Sequence, residues 1–144
     1  EINFHIFDSF EGMSKIKKED EVLLNIKEER KINNTWAGNE SFVKNQVLKD
    51  FNFFKIYKGW IPSSFKEVES KKFSFVYIDV VLYEPTLETI KFFFPKLEKG
   101  GVIYCESYNS STFQGAKSAW DEYFKDKNYT FFFQNPIRGC FIVK

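Results

Sequence analysis

The chain has 144 residues, which is enough for one domain with a buried core, and its net charge at pH 7 is +1. Proteins dedicated to nucleic-acid binding normally carry a basic excess, so this balance argues against a nucleic-acid partner. Aromatic residues make up 20% of the chain, which excludes intrinsic disorder, and no apolar run approaches the roughly 18 residues that a membrane span needs.

Six segments have the pattern of strands. Four short apolar runs bounded by polar or turn residues come first, at residues 2–7, 53–57, 73–78 and 102–105. The run at 73–78 is continuous, which is typical of a strand covered on both faces. Two further runs at the end of the chain predict an antiparallel hairpin, residues 129–133 and 139–143.

Helical patterns separate these strands. The clearest helix begins near Pro85, and Gly100 and Gly101 are expected to end it. Its apolar side chains share one face: Leu87, Ile90, Phe94 and Leu97. Ser111 or Thr112 is expected to cap the last helix. The highly charged residues 14–34 are expected to form a surface loop and helix.

This alternation predicts an α/β fold, with a Rossmann-like, mostly parallel sheet flanked by helices and a C-terminal antiparallel strand pair. In open sheets of this kind, ligands bind at the carboxyl ends of the strands. Three of the strands end in an acid there: Asp8, Asp79 and Glu106. That coincidence is the main functional signal in the chain.

Each residue at this edge has a functional and a structural interpretation. Asp8 either binds a ribose diol, as acids do after an early strand of nucleotide-binding folds, or caps its own turn. Gly59 and Trp60 offer a close backbone approach and a flat ring for a purine, whereas core packing is the commoner role of a tryptophan. Asp79 and Glu106 suit a hard divalent cation or an acid–base pair, or are solvated loop acids.

Two cysteines, Cys105 and Cys140, are too few for a disulfide scaffold. Each lies in an apolar run that is typical of a strand, so two buried, reduced thiols are expected. The sequence opens with no secretory signal, and a cytoplasmic location is the prediction that follows.

Four segments occur in a characteristic order and spacing: residues 7–12 (FDSFEG), 58–60 (KGW), 78–86 (IDVVLYEPT) and 95–101 (PKLEKGG). Together they resemble the macrocin O-methyltransferase (TylF-like) family. Its members are class I enzymes that use S-adenosylmethionine (SAM) to methylate sugar hydroxyls on natural products. The resemblance implies a SAM-dependent O-methyltransferase that acts on a sugar or another small-molecule hydroxyl with the assistance of a divalent metal.

The resemblance also implies a cofactor site. Asp8 would hold the ribose hydroxyls of SAM, and Ser9 and Phe10 would shape that pocket. Gly59 and Trp60 would lie near the adenine.

The same resemblance implies a metal and a catalytic acid. Asp79 matches the first acid of the family's Asp-x-Asp-Leu-Tyr motif, which makes it the expected catalytic residue, a cofactor contact and a Mg²⁺ ligand. Glu106 falls on an acid pair of the family and is the second expected ligand. Val81 and Ser107 replace two further acids, so we expect a degenerate active site and weakened magnesium binding.

The family's first strand and glycine-rich cofactor turn have no counterpart here, because none of the glycines forms a Gly-x-Gly turn after a strand. Residues 1–144 are therefore expected to form a single, partial domain that binds SAM weakly or not at all, with a gap between the strands at 2–7 and 73–78. The alternatives are a non-catalytic methyltransferase-like binding or assembly module and an unrelated nucleotide-binding domain. Phenylalanine triplets at 92–94 and 131–133 are expected in the core or at a homodimer interface.

Overall fold

The computed structural model describes residues 4–20 and 36–144 and confirms the α/β architecture. Its strands are β1 (Phe4–Asp8), β2 (Phe54–Lys58), β3 (Phe73–Ile78), β4 (Leu97–Cys105), β5 (Phe131–Gln134) and β6 (Cys140–Val143). The helices are α1 (Glu40–Phe42), which continues as a π-helical turn (Val43–Val47), α2 (Tyr83–Phe93) and α3 (Gly115–Phe124). Two 3₁₀ turns span Lys18–Asp20 and Ser63–Val68.

The strands form two sheets. Strands β1 and β2 pair in parallel, with Asp8 opposite Lys58. The second sheet has the order β3-β4-β6-β5, in which β3 and β4 are parallel and the remaining pairs are antiparallel. Strands β1 and β3, between which the sequence predicted a gap, are not hydrogen-bonded to each other. The hairpin predicted at the end of the chain is present as β5 and β6.

A shared aromatic core joins the two sheets. Phe7 of β1 stacks on Tyr57 of β2, with ring centroids 4.7 Å apart, and meets Phe93 of α2 edge-on at 5.8 Å. Phe65, which is almost fully buried, contacts the same two phenyl rings, Phe7 and Phe93. Phe93 also meets Phe73 of β3 edge-on at 5.0 Å, so the aromatic cluster reaches both sheets and holds them together without strand pairing.

Helix α2 ends earlier than the sequence predicted. The pattern placed Leu97 on this helix and its end at Gly100, but the helix stops at Phe93 and Leu97 begins β4. Pro95 is the physical reason, since a proline has no backbone N–H with which to continue a helix. Gly100 lies within β4 with a positive φ of 79°, so it serves the strand and not the helix.

The last helix also begins differently from the prediction. Its N-cap is Gln114, and neither Ser111 nor Thr112 caps it. The hydroxyl of Ser110 instead accepts hydrogen bonds from the backbone N–H groups of Thr112 and Phe113, each at 3.2 Å. These bonds order the turn that leads into the helix.

The prediction that β3 is covered on both faces is wrong. Val76 and Ile78 are buried beneath the helices, but Phe75 and Tyr77 on the opposite face are 55% and 53% exposed. Alternate residues of a strand point to opposite faces, so the sheet has one covered and one open side. The open side continues across β5 through Phe131 and Phe133, which are 51% and 47% exposed.

The sequence predicted a surface loop and helix in the charged segment at residues 14–34. Residues 21–35, which make up most of the charged segment expected at 14–34, lie outside the described residues. Asp20, at the edge of this segment, is almost fully buried.

Cys105 and Cys140 are buried and free, as predicted. In the described part of the chain, none of the helices has both the length and the apolar character to cross a bilayer.

Candidate functional site

The carboxyl ends of β1, β3 and β4 bring the three predicted acids to one edge. Asp8 is the last residue of β1, whereas Asp79 and Glu106 directly follow β3 and β4. Partial burial is the largest cause that raises the pKa of Asp79, and the negative charges of Glu106 and Asp8 raise it further. The positive charge of Arg138 opposes this rise. The fold therefore gathers the strand-end acids into one electrostatic group.

Asp8 organises the turn that follows β1. Its Oδ1 accepts a hydrogen bond from the Phe10 N–H at 2.7 Å, and Phe10 has a positive φ of 60°. The Ser9 hydroxyl accepts a hydrogen bond from the Glu11 N–H at 3.1 Å and donates to the Gly12 carbonyl at 3.3 Å. The turn-capping interpretation of Asp8 is therefore correct for one carboxylate oxygen. It leaves Oδ2 as an acceptor for a ligand, since a carboxylate has two oxygens.

Gly59 lies directly beside Asp8. Its N–H donates to the Asp8 carbonyl at 2.9 Å, and its φ of 141° is one that residues with side chains rarely adopt. No atom lies within 4 Å of the position that a Cβ would take, so space is open above this glycine. Trp60, the next residue, is 41% exposed, which shows that core packing does not explain it.

Glu106 is held by two side chains that the sequence did not single out. The Tyr104 hydroxyl donates to Glu106 Oε2 at 2.7 Å, and the Arg138 guanidinium pairs with Glu106 Oε1. The hydrogen bond from Tyr104 lowers the pKa of Glu106, and the pairing with Arg138 lowers it further. The surroundings of Glu106 therefore favour its charged form, whereas those of Asp79 disfavour its charged form.

A magnesium ion does not fit this arrangement. The sequence predicted Asp79 and Glu106 as its ligands, yet both carboxylate oxygens of Glu106 already bind protein groups. Val81 contributes no oxygen ligand from its side chain, and Ser107 offers only a neutral hydroxyl. Across residues 4–20 and 36–144, no group of three or more His, Cys, Asp or Glu side chains is placed to hold a metal.

 No local sequence pattern indicates Arg138 as a site residue, because its partner, Glu106, lies 32 residues earlier. Arg138 is one of only two arginines in the sequence, and its position in the turn before β6 is visible there. Its pairing with Glu106 depends on how that turn packs against the end of β4.

The comparison with known families decides the assignment. The family model described as macrocin-O-methyltransferase (TylF) matches residues 1–135. The chain belongs to the TylF macrocin-O-methyltransferase family. The resemblance carried by the four sequence segments is therefore confirmed. No curated protein matches the chain in sequence.

Solved structures share the fold of this TylF-family chain. The O-methyltransferase NovP superposes with a TM-score of 0.72 at 18% identity, covering 99% of this chain and 60% of NovP. CalS11, a calicheamicin methyltransferase, has a TM-score of 0.72 at 16% identity, covering 98% of this chain and 60% of CalS11. A putative caffeoyl-CoA O-methyltransferase from Staphylococcus aureus has a TM-score of 0.52 at 19% identity, covering 74% of this chain and 61% of its own. The chain thus spans about 60% of the length of these structures.

Proposed function

We propose that this chain acts as a SAM-dependent O-methyltransferase whose acceptor is a hydroxyl of a sugar or another small molecule. We also propose that its active site is degenerate. Family membership supports the reaction class. One of the matching structures is described as a TDP-rhamnose 3'-O-methyltransferase, which supports a sugar acceptor. The loss of two family acids at Val81 and Ser107 supports the degenerate site.

The adenosine half of SAM fits the end of the β1–β2 pair. The observation that carries this proposal is the hydrogen bond from the Gly59 N–H to the Asp8 carbonyl, because it sets an acid beside a glycine with open space. Asp8 would accept hydrogen bonds from the ribose hydroxyls through Oδ2, with Ser9 and Phe10 fixing its turn. The exposed indole of Trp60 would lie against the adenine. When bound, SAM supplies an activated methyl group on a sulfonium.

Asp79 is the proposed general base. An acceptor hydroxyl loses its proton as its oxygen bonds to the methyl group, so a base must stand at the strand-end edge. Partial burial and the neighbouring Glu106 raise the pKa of Asp79, which makes this carboxylate a stronger base than an ordinary aspartate. Asp79 would also border the cofactor. Val81, in the place of the second family acid, cannot accept a proton.

The alternative proposal is a non-catalytic binding or assembly module. The open aromatic side of the β3-β4-β6-β5 sheet favours it, because contiguous exposed apolar surface is typical of interaction sites. In either case we propose that residues 1–144 form a single, partial domain that works in the cytoplasm as a homodimer. The two buried free cysteines are consistent with a reducing compartment.

SAM binding to the folded chain tests the cofactor site. We expect weak binding, measurable by NMR as shifts that include the Trp60 indole N–H. Asp8→Asn retains an oxygen to accept from the Phe10 N–H but replaces the second oxygen by an amide donor, so SAM affinity should fall by about 10-fold or more. The matched control, Asp50→Asn, removes an exposed aspartate in the turn before β2 and should leave affinity unchanged.

Each result distinguishes between the two proposals. If SAM binds equally well to the Asp8→Asn variant and the control, the proposed cofactor site is wrong. If the chain dimerises but shows no SAM-dependent shift at any concentration, the assembly module is the better description. Sedimentation analysis of the same samples reports the oligomeric state.

A further inference from the structure

The carboxylate of Glu106 is fixed by side chains from two different parts of the chain. Tyr104, two residues earlier on β4, donates its hydroxyl to Oε2 at 2.7 Å. Arg138, in the turn between β5 and β6, pairs with Oε1. The ring of Tyr77 on β3 stacks on Tyr104 with centroids 5.2 Å apart. Both oxygens of this carboxylate are therefore engaged by protein groups whose positions the sheet sets.

The turn that carries Arg138 is anchored to the loop after β4. The Asn109 N–H donates to the Arg138 carbonyl at 2.7 Å, and the Asn135 N–H donates to the Gly139 carbonyl at 2.8 Å. A side chain at Gly139 would collide with the hydroxyl of Tyr104, so the glycine permits this close packing. The fold thus delivers the guanidinium to the acid, because the backbone on both sides of Arg138 is held in place.

A divalent cation would need the same oxygens. Magnesium and manganese take oxygen ligands, above all carboxylates, and Asp79 is the neighbouring acid of the pair. A guanidinium already beside Glu106 would repel a second cation. It would also have to give up its own charge-assisted hydrogen bond before that oxygen could bind a metal.

We propose that the Arg138 guanidinium stands at Glu106 in the position that a divalent cation would need, so that this edge of the chain works without a bound metal. An arginine keeps its charge across the physiological pH range, and its planar fork suits a carboxylate. The inference goes beyond the proposed function, because it concerns the charge at Glu106 whether or not the chain transfers a methyl group.

Manganese alone is the probe that tests the inference. The full chain is titrated with Mn²⁺, and the free ion is measured by electron paramagnetic resonance, which needs no activity assay. We expect no saturable site on the wild-type chain. Arg138→Gln frees Glu106 and should create a saturable Mn²⁺ site, about 10–100-fold tighter than the non-saturable binding of the wild type. Adding Asp79→Asn to that variant should abolish the gain.

A second ion pair supplies the matched control. Lys91 pairs with Glu88 at 3.0 Å on the exposed surface of α2, so Lys91→Gln also frees one carboxylate, but away from the strand ends. Its Mn²⁺ binding should remain that of the wild type. Arg138→Lys retains a positive charge and should also exclude the metal.

Two results would overturn the inference. One is a single Mn²⁺ site on the wild-type chain that Glu106→Gln removes. The other is an Arg138→Gln variant that binds Mn²⁺ no more tightly than Lys91→Gln. Circular dichroism checks that each variant is folded, and the side chain of Arg138 is 70% exposed, so its loss opens no cavity. The wild-type titration needs no substitution in Arg138 and tests the inference even if that variant does not fold.

Discussion

The buried carboxylate of Asp20 accepts a hydrogen bond at 2.7 Å from the backbone N–H of Tyr83, the first residue of α2. The second oxygen of this carboxylate accepts a hydrogen bond from the Lys17 N–H at 2.7 Å. The backbone carbonyl of Asp20 accepts one from the N–H of Gln114, just before α3, at 2.9 Å. The N-cap residue of α2, Leu82, has no side-chain oxygen of its own. Asp20 therefore caps the beginning of α2 through its side chain and binds the beginning of α3 through its backbone.

Replacing Asp20 by alanine should destabilise the chain. The substitution leaves two partly buried backbone N–H groups without their acceptor, and the expected loss in the free energy of unfolding is about 1–3 kcal/mol. Urea unfolding followed by circular dichroism measures it. The control Asp50→Asn changes an exposed aspartate and should lie within about 0.5 kcal/mol of the wild type. A loss for Asp20→Ala no larger than that of the control would contradict the capping role.

Gly115→Ala should also destabilise the chain, against the prediction of helix propensity. Alanine is the better helix former by about 1 kcal/mol. However, a Cβ at Gly115 would collide with Asp20 Oδ1 and the Tyr83 nitrogen, and we expect this clash to cost about 1–3 kcal/mol. The control Ser118→Ala lies on the exposed side of the same helix. Thermal unfolding of the two variants gives the comparison, and a more stable Gly115→Ala variant would show that the Asp20 contact adjusts freely.

Substitutions at the two strand-end acids should change stability in opposite directions. The raised pKa of Asp79 means that its charged form is disfavoured in the folded chain, so Asp79→Asn should stabilise the protein at pH 7. The lowered pKa of Glu106 means that its charged form is favoured in the folded chain, so Glu106→Gln should destabilise the protein at pH 7. Each effect should be about 0.2–1 kcal/mol, the range of solvent-accessible charge pairs. Urea unfolding at pH 7 checks the signs, and equal signs would contradict this electrostatic description.

The chain should lose stability between pH 10 and 12 as hydrogen-bonded tyrosines ionise. Hydrogen bonds to Glu122 and Glu106 raise the pKa values of Tyr83 and Tyr104 to about 12. These pKa values exceed that of a tyrosine in the unfolded chain. The contribution of the two tyrosines to the free energy of unfolding is therefore complete below about pH 10 and disappears as the pH rises through 12. Phenolate absorbance should show a late phase that Tyr104→Phe reduces. Ionisation of every tyrosine in one step near pH 10 while the chain remains folded would rule this out.

The local pattern predicted most of the elements because strand and helix periodicity depend on neighbouring residues. The apolar run at 73–78 forms β3 with the bounds that the sequence indicated. The end of α2 was misplaced because the pattern continued through Leu97, whereas the missing N–H of Pro95 decides the boundary. The exposure of Phe75 and Tyr77 could not be predicted, since an apolar run does not say which side a helix covers.

The sequence by itself determined the family, the α/β class and the placement of Asp8, Asp79 and Glu106 at strand ends, because order and alternation along the chain carry that information. Only the tertiary structure decided what those acids contact. The bonds from Arg138 to Glu106 and from Tyr83 to Asp20 join residues 32 and 63 positions apart. Such pairs depend on strand register and on how loops pack, which no local pattern specifies.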